Sequence, residues 1–197
     1  MDVFEEALCF ATLKHSGQVR KLAKTPYILH PMEVAAIVGT MTDDREVLAA
    51  AVLHDTVEDT DTTLEEITEK FGKRVSLLVM TETEEKRADR PAAETWELRK
   101  EETLIMLENS KDINVKMMWL GDKLSNMRSF TREFRKRGDA VWLALNQKDP
   151  LKQKWYYVRI AKALRDLKGY DAYREYIELV KFVFEEHLGG YDNEILG

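Results

Sequence analysis

The chain has 197 residues, of which 44% are hydrophobic and 34% charged, as expected for a globular protein of one domain. The net charge of −6 argues against a general nucleic-acid-binding protein, although a local basic cluster is compatible with a small anionic ligand. Cys9 is the single cysteine, which excludes a disulfide framework and a thiolate metal site. The first ten residues lack the basic segment of a signal peptide, and no apolar run reaches membrane-spanning length. We therefore expect a cytoplasmic protein with neither a nucleic-acid nor a membrane partner; protein partners cannot be read from the chain.

Helical periodicity recurs along the whole sequence, and no alternating pattern predicts a strand. Capping residues, Pro31 at a helix start and glycines at helix ends mark the boundaries. The expected helices run from Asp2 to about His15, from Pro31 to Val38, from a cap at Asp43 or Asp44 to about Asp59, from a capping box at Thr62 and Glu65 or at Thr63 and Glu66 to Gly72, from Val75 to Met80, from Ala92 to Glu108, from Ile113 to Lys136, from Leu151 to Lys168 and from Asp171 to His187.

Two segments interrupt this pattern. Residues 81–91 are acidic and then mixed in charge, which predicts an exposed loop, and residues 138–150 are expected to be irregular. The prediction is an all-α fold, a single domain over residues 1–197. Its core covers about 2–168, and a closing helix covers about 171–187.

Polar residues interrupt the apolar face of the third predicted helix. Val47, Ala50 and Ala51 form an apolar stripe at helical spacing, and His54, Asp55 and Glu58 continue the same stripe. A buried carboxylate needs a partner, and a divalent cation would keep Asp55 ionised and His54 neutral. The alternative is a helix end whose acids face solvent, which suits Asp59 better than it suits the His54–Asp55 pair.

Further metal ligands are sought among the remaining histidines and the buried acids. His15 and His187 stand at predicted helix C-termini, where the macrodipole explains a histidine without a metal. His30 precedes a proline at a helix start and is the best third ligand. Asp122 interrupts another apolar helical face and is the fourth candidate, with an ion pair to Lys123 as the alternative. The sequence predicts a metal site with two histidines and two aspartates, a set of nitrogen and oxygen donors that accommodates Mn²⁺, zinc or iron.

The spacing of His30, His54, Asp55 and Asp122 resembles the H…HD…D signature of HD-domain metal-dependent phosphohydrolases. Longer motifs extend the likeness to one branch of that family, the RelA/SpoT-type alarmone hydrolases, over roughly residues 5–135. No counterpart of the synthetase half of the large bifunctional members is present, so the resemblance is to a small stand-alone hydrolase. The motifs are HSGQVRK over 15–21, TPYILHP over 25–31, AVLHDTVEDT over 51–60, FG over 71–72 and GDKLSNMR over 121–128.

The resemblance implies a helical HD-domain bundle with a Mn²⁺ site between its helices. It implies hydrolysis of the 3′-pyrophosphate of ppGpp or pppGpp by a metal-activated water, which leaves GDP or GTP and pyrophosphate. Glu58 would orient the water or carry its proton, with Asp59 as its support; spacing by itself leaves an acidic helix end equally plausible. The residues implied on the substrate are Arg20 at the base, Lys21 near phosphate, Asn126 and Ser129 on the ribose side, and more weakly Lys123 at phosphate and Tyr157 in the nucleotide pocket.

Departures from the family pattern leave the substrate open. Trp119 replaces a lysine and Gly121 an alanine, while residues 81–85 are more acidic than their counterparts. The same chemistry on adenosine alarmones or on the 2′-phosphate of NADPH is the nearest alternative. A non-catalytic, nucleotide-sensing HD module is the second, although such a module is expected to lose ligands. Packing between helices is the commoner explanation for Tyr157.

Overall fold

The computed structural model describes residues 1–84, 87 and 89–184, and over these residues the secondary structure is helical. An isolated antiparallel bridge between Val19 and Pro26 is the sole strand-like pairing in the described part. The predicted all-α class is confirmed. None of the helices within those ranges is both long and apolar enough to cross a membrane. The helices are α1 (Val3–Lys14), α2 (Leu29–Val38), α3 (Arg45–Leu53), α4 (Thr56–Asp59), α5 (Leu64–Phe71), α6 (Lys73–Met80), α7 (Ala92–Asn109), α8 (Ile113–Arg137), α9 (Pro150–Ala163) and α10 (Asp171–Phe184), with 3-10 helices at Gly138–Ala144 and Arg165–Leu167.

The chain forms two compact units. The first comprises Met1–Glu84 and Ser110–Ser125, and the second comprises the described residues of Glu85–Asn109 and Asn126–Gly197. In the first unit α1, α2 and α6 pack against α3. Every residue from Val47 to Leu53 is buried, which fits a helix that is apolar on all sides and surrounded by others. The organisation of residues 1–197 as one domain stays a prediction.

Side-chain caps define the helix starts in the first unit. Asp2 and Glu5 form a reciprocal capping box at α1. Asp44, rather than Asp43, accepts hydrogen bonds from the first turn of α3, and Thr63 accepts one from the Glu66 amide at α5. The caps therefore decide between alternatives that the sequence left open.

The third predicted helix is wrong at its C-terminal end, because α3 stops at Leu53 and a separate turn, α4, carries the acids. The Thr56 hydroxyl donates to the Leu53 carbonyl at 2.6 Å, and His54 Nδ1 donates to the Ala51 carbonyl at 2.9 Å. These side chains take carbonyls that a continuing helix would have bonded through its own amides. His54 and Asp55 consequently lie at a break between two helices.

Two smaller predictions also change, and a third is confirmed where the structure describes it. Helix α2 begins at Leu29, so Pro31 occupies its third position, where the missing amide is again one that has no helical partner. Helix α9 ends at Ala163, and a 3-10 turn follows where a continuous helix to Lys168 was expected. Helix α10 begins at Asp171 as predicted; its predicted end at His187 lies outside the described residues.

The predicted exposed loop over 81–91 is wrong at its beginning, because Glu82 is buried. Backbone hydrogen bonds from Thr81 to Leu78, from Glu82 to Val79 and from Thr83 to Met80 continue the path of α6 by another turn. This turn directs the Glu82 side chain inward although its neighbours are polar. The acidic composition could not reveal that direction.

Candidate metal centre

Three buried side chains from three different helical segments meet in the first unit. His30 lies in the first turn of α2, His54 follows the end of α3, and Asp122 lies within α8. Each is at most 5% exposed, although all three are polar. One donor atom from each lies within 4.8 Å of the others, so the three side chains could hold a metal ion.

The distances suit donors that share one ion. His30 Nε2 lies 3.1 Å from Asp122 Oδ1 and 3.5 Å from Asp55 Oδ2, while His54 Nε2 lies 3.0 Å from Asp55 Oδ2 and 3.8 Å from Asp122 Oδ1. Two donors at about 2.1 Å from one cation are about 3.0 Å apart at a right angle and about 3.4 Å apart at the tetrahedral angle. His54 Nε2 has no directed hydrogen bond to any described residue despite its closeness to Asp55. Such an orphaned nitrogen fits a ring that faces an ion.

Hydrogen bonds on the far side of each ring select the tautomer that a metal needs. The Ala51 carbonyl can only accept, so His54 Nδ1 donates to it at 2.9 Å. Ser125 donates its single hydroxyl hydrogen to Glu33 Oε2 at 2.7 Å, so its oxygen accepts from His30 Nδ1 at 2.8 Å. Whenever the rings are neutral, both Nε2 atoms are thereby left to present a lone pair, the arrangement found around metal-bound histidines.

The carboxylates of Asp55 and Asp122 favour a positive charge beside His30 and His54, the cluster of metal candidates. Burial lowers the pKa of His30, which keeps that ring neutral. Burial also opposes a charge on His54, but the Asp55 and Asp122 carboxylates outweigh it and raise the pKa of His54 to about 10. Without a cation, a proton on His54 would balance these acids. A divalent ion would therefore compete with that proton, and its binding would release it.

Asp55 is held by a tyrosine as well as facing the imidazoles. The Tyr27 hydroxyl lies 2.6 Å from Asp55 Oδ2 and 3.0 Å from Asp59 Oδ2. Burial and the two neighbouring carboxylates raise the pKa of Tyr27, so its phenol stays a hydrogen-bond donor. Glu58, the predicted water-handling acid, accepts a hydrogen bond from the Glu84 amide at 3.3 Å through Oε2.

Lys123 is the cation that lies next to Asp122. The Lys123 ammonium pairs with Asp122 Oδ2 and lies 4.5 Å from the centre of the buried Trp119 ring. Burial opposes ionisation of Asp122, but Lys123 and His30 hold the pKa of that carboxyl well below its usual range. The ion pair considered as an alternative to metal binding thus exists, and it engages the oxygen that does not face His30.

The predicted substrate residues fall into both units. In the first unit, the Arg20 guanidinium lies 5.7 Å from the centre of the Tyr27 ring and Lys21 is exposed. In the second unit, Tyr157 packs against Tyr156 and Phe184, as expected for an aromatic residue between helices. The substrate-binding roles predicted for these residues stay predictions, as do those of two residues of α8 in the second unit, Asn126 and Ser129.

Sequence reasoning missed the residues that support the cluster. Tyr27 lies inside the motif over residues 25–31, but the motif does not indicate which acid the tyrosine hydroxyl contacts. Ser125 stood between apolar positions of α8, and a hydroxyl three residues after Asp122 was the available signal. Glu82 gave no signal, because acidic residues surround it in the chain.

A family model described as an HD domain matches residues 7–151, which is more than half of the chain. The chain belongs to the HD-domain family. This HD domain is 44% identical over 131 residues to the guanosine-3′,5′-bis(diphosphate) 3′-pyrophosphohydrolase MESH1 of Xenopus tropicalis, an alignment that covers 64% of the present chain and 69% of that protein. The predicted resemblance to SpoT-type alarmone hydrolases is confirmed.

Two further comparisons extend the likeness. The guanosine-3′,5′-bis(diphosphate) 3′-pyrophosphohydrolase of Aquifex aeolicus is 39% identical over 136 residues, which are 68% of the present chain. The alignment spans 19% of the length of that relative. The solved structure of a metazoan ortholog of SpoT, described as hydrolysing ppGpp, superposes with a TM-score of 0.68 at 27% identity. That superposition covers 95% of the present chain and 96% of the other.

Proposed function

We propose that this HD domain is a metal-dependent hydrolase that removes the 3′-pyrophosphate of guanosine alarmones, converting ppGpp or pppGpp into GDP or GTP and pyrophosphate. The observation that carries the proposal is the meeting of the buried His30, His54 and Asp122 with the half-buried Asp55, with both imidazole Nε2 atoms directed at the carboxylates. The identity to MESH1 of Xenopus tropicalis supports the choice of substrate.

The four residues are proposed as the ligands of a divalent cation. Mn²⁺ is the first choice because of the resemblance to alarmone hydrolases, and the set of two nitrogens and two carboxylates accommodates it as it does zinc or iron. When bound, such an ion supplies Lewis acidity, which lowers the pKa of water and stabilises charge on a phosphoryl group. Ser125 and the Ala51 carbonyl hold the imidazoles, while Lys123 holds Asp122. The Lys123 ammonium has three hydrogens, so it can keep its pair with Asp122 and offer another hydrogen to a phosphate.

Glu58 is proposed as the residue that orients the attacking water and accepts its proton. Its carboxylate is held through the hydrogen bond from the Glu84 amide. Asp59 supports this region through the Tyr27 hydroxyl and through its own carbonyl, which accepts from Gln18 Nε2 at 2.8 Å. Arg20 and Lys21 are proposed for the nucleotide, since a guanidinium can stack on a purine and an ammonium can pair with a phosphate.

Product analysis with purified protein tests the substrate. The panel is ppGpp, pppGpp, ppApp and NADPH, each incubated with and without Mn²⁺ after chelator treatment. We expect pyrophosphate and GDP from ppGpp when Mn²⁺ is present, and no product without a divalent metal. If the protein releases phosphate from NADPH or pyrophosphate from ppApp but does not hydrolyse ppGpp, the proposed guanosine substrate is wrong and the hydrolysed nucleotide replaces it.

A Glu58→Gln variant tests the catalytic acid. The amide retains the size of the side chain but cannot accept a proton, so kcat should fall by about 10²–10⁴-fold while Mn²⁺ affinity stays close to that of the parent. Glu65→Gln, at an exposed position in the first turn of α5, is the matched control and should retain parental kcat. A parental kcat in Glu58→Gln would remove Glu58 from the mechanism.

The location proposed is the cytoplasm. The supporting observation is the exposed free thiol of Cys9, since thiols stay reduced and unpaired in a reducing compartment. Fractionation of the source cells with a thiol-reactive label would test this, and labelling from outside intact cells would contradict it.

A further inference from the structure

Tyr27 stands where three parts of the proposed site meet. Its backbone is fixed on both sides, because its amide donates to the Gln18 carbonyl at 2.9 Å and its carbonyl accepts from the His30 amide at 2.9 Å. The first bond belongs to the small hairpin that contains the Val19–Pro26 bridge, and the second leads into α2. The side chain thus projects from a backbone segment that also carries the metal candidate His30.

The hydroxyl of Tyr27 connects two acids with different proposed tasks. Asp55 Oδ2, which faces His30 and His54, lies 2.6 Å from the hydroxyl, and Asp59 Oδ2 lies 3.0 Å from it. Both acceptors are carboxylates and the phenol has one hydrogen, so the two acids share one donor. A hydrogen bond to a metal-ligating carboxylate fixes its orientation, and losing such a partner costs metal affinity.

The ring of Tyr27 has a separate set of neighbours. The Arg20 guanidinium lies 5.7 Å from its centre, and the His15 ring lies 4.9 Å away at an interplanar angle of 35°. His15 is buried and is itself held by Gln18, whose amide group also reaches the Asp59 carbonyl. The ring therefore provides a surface for Arg20 that does not depend on the hydroxyl.

We propose that Tyr27 is a positioning residue with two separable actions: its hydroxyl orients Asp55 and Asp59, and its ring holds Arg20 in place for the nucleotide. The second action rests on the proposed function, because it assumes a nucleotide substrate. The first does not, because orientation of Asp55 affects metal binding whatever the substrate is.

Two substitutions separate these actions. Tyr27→Phe removes the hydroxyl and keeps the ring, whereas Tyr27→Leu removes both. For Tyr27→Phe we expect Mn²⁺ affinity, measured by isothermal titration calorimetry without nucleotide, to fall about tenfold or more. At saturating Mn²⁺ its kcat for ppGpp should fall while KM stays within about twofold of the parent, since Arg20 keeps its support. Tyr27→Leu should show the same loss of Mn²⁺ affinity and, in addition, a raised KM.

Tyr173→Phe is the matched control. Tyr173 is buried in the second unit and its hydroxyl donates to the Ala161 carbonyl at 2.8 Å, so the variant loses a buried hydrogen bond of the same chemical type. It should lower the melting temperature without changing Mn²⁺ affinity or the ratio of kcat to KM.

The outcomes distinguish the inference from the proposed function. Parental Mn²⁺ affinity and kcat in a folded Tyr27→Phe protein, with circular dichroism like the parent's, would overturn the action of the hydroxyl. Equal KM values in the Phe and Leu variants would overturn the action of the ring. If the parent does not hydrolyse ppGpp, the proposed function fails, yet the calorimetric comparison of parent and Tyr27→Phe still decides whether the hydroxyl positions Asp55.

Discussion

At the residue scale, Glu82 is the least expected of the acids that interact with the metal candidates. Its side chain is buried, and Oε1 has no hydrogen-bond partner among the described residues. Burial, together with the nearby carboxylates of Asp122 and Asp55, raises the pKa of Glu82 to about 8, although Lys123 opposes this shift. A carboxyl with such a pKa is mostly protonated at neutral pH, so it adds bulk and a hydrogen-bonding group to the site without a full negative charge.

A Glu82→Gln variant should change how stability depends on pH in chelator-treated protein. In the unfolded chain Glu82 ionises near 4.5, whereas in the folded protein it keeps its proton up to about 8. Between these values the unfolded state binds fewer protons, so the free energy of unfolding falls as pH rises. The total fall is on the order of a few kcal/mol, and glutamine should abolish it.

Urea unfolding from pH 5 to pH 9 measures this effect. The difference in stability between Glu82→Gln and the parent should shift in favour of the variant as pH rises. Glu69→Gln, at an exposed position of α5, should follow the parent at every pH. A constant difference between Glu82→Gln and the parent would show that Glu82 does not ionise differently in the folded and unfolded states.

The metal candidates could be predicted at this scale, whereas their supporting residues could not. His54, Asp55 and Asp122 interrupt apolar helical faces, and such an interruption is visible in one helix at a time. The reach of the Tyr27 hydroxyl to Asp55, across 28 positions of the chain, depends on how the hairpin and α2 pack. The burial of Glu82 depends likewise on one additional turn after α6, which composition does not encode.

At the scale of elements, the starts of the helices were more predictable than the break between α3 and α4. Asp2, Asp44 and Thr63 carry the capping oxygen in their own side chains, so the signal is local. The end of α3 depends on Thr56 and His54 turning back to carbonyls, and the same residues can equally continue a helix. The periodicity therefore predicted the burial of His54, whereas Asp55 is half-buried, and it missed the break that separates both residues from α4.

Close approach of α8 to α2 is the other feature of element packing that bears on the site. A β-carbon at Gly121 would lie 2.7 Å from Val38 Cγ2, and 3.2 Å from both Val34 Cγ1 and the Val34 carbonyl oxygen. The absence of a side chain at Gly121 allows α8 to bring Asp122 towards His30 on α2. The departure from the alanine expected in relatives thus has a packing consequence in this chain.

Gly121→Ala should destabilise the protein although alanine is the better helix former. The helical preference favours alanine by about 1 kcal/mol, while overpacking against stiff valine side chains and a carbonyl costs about 1–3 kcal/mol. We expect a net loss of up to about 2 kcal/mol in urea unfolding and weaker Mn²⁺ binding, because α8 must move away from α2. Gly169→Ala, where a β-carbon meets no atom within 4 Å, should stay within about 0.5 kcal/mol of the parent. If Gly121→Ala keeps the stability and the Mn²⁺ affinity of the parent, Val34 and Val38 accommodate the methyl group without loss of stability.

At the scale of the whole molecule, the metal candidates connect folding to ligand binding. His30, His54 and Asp122 are separated by 24 and 68 positions in the sequence, so they come together when the first unit folds. An ion that binds all of them has much lower affinity for the unfolded chain. Its binding free energy therefore adds to the stability of the folded state.

Mn²⁺ should accordingly raise the melting temperature of chelator-treated protein. At a free concentration about 100 times Kd the stabilisation is about 2.7 kcal/mol, and about 1 kcal/mol corresponds to roughly 2–4 °C for a chain of this size, so we expect a rise of about 5–10 °C. Asp122→Asn should lose most of this rise, because an amide oxygen replaces the charged donor that faces His30. Asp43→Asn, at an exposed position, should retain it. Differential scanning fluorimetry across a Mn²⁺ series measures all three proteins without any substrate. If Mn²⁺ raises the melting temperature of Asp122→Asn as much as that of the parent, the ion binds elsewhere. A bound ion stabilises the fold through the residues that hold it, so the loss of a principal donor has to reduce the rise in melting temperature.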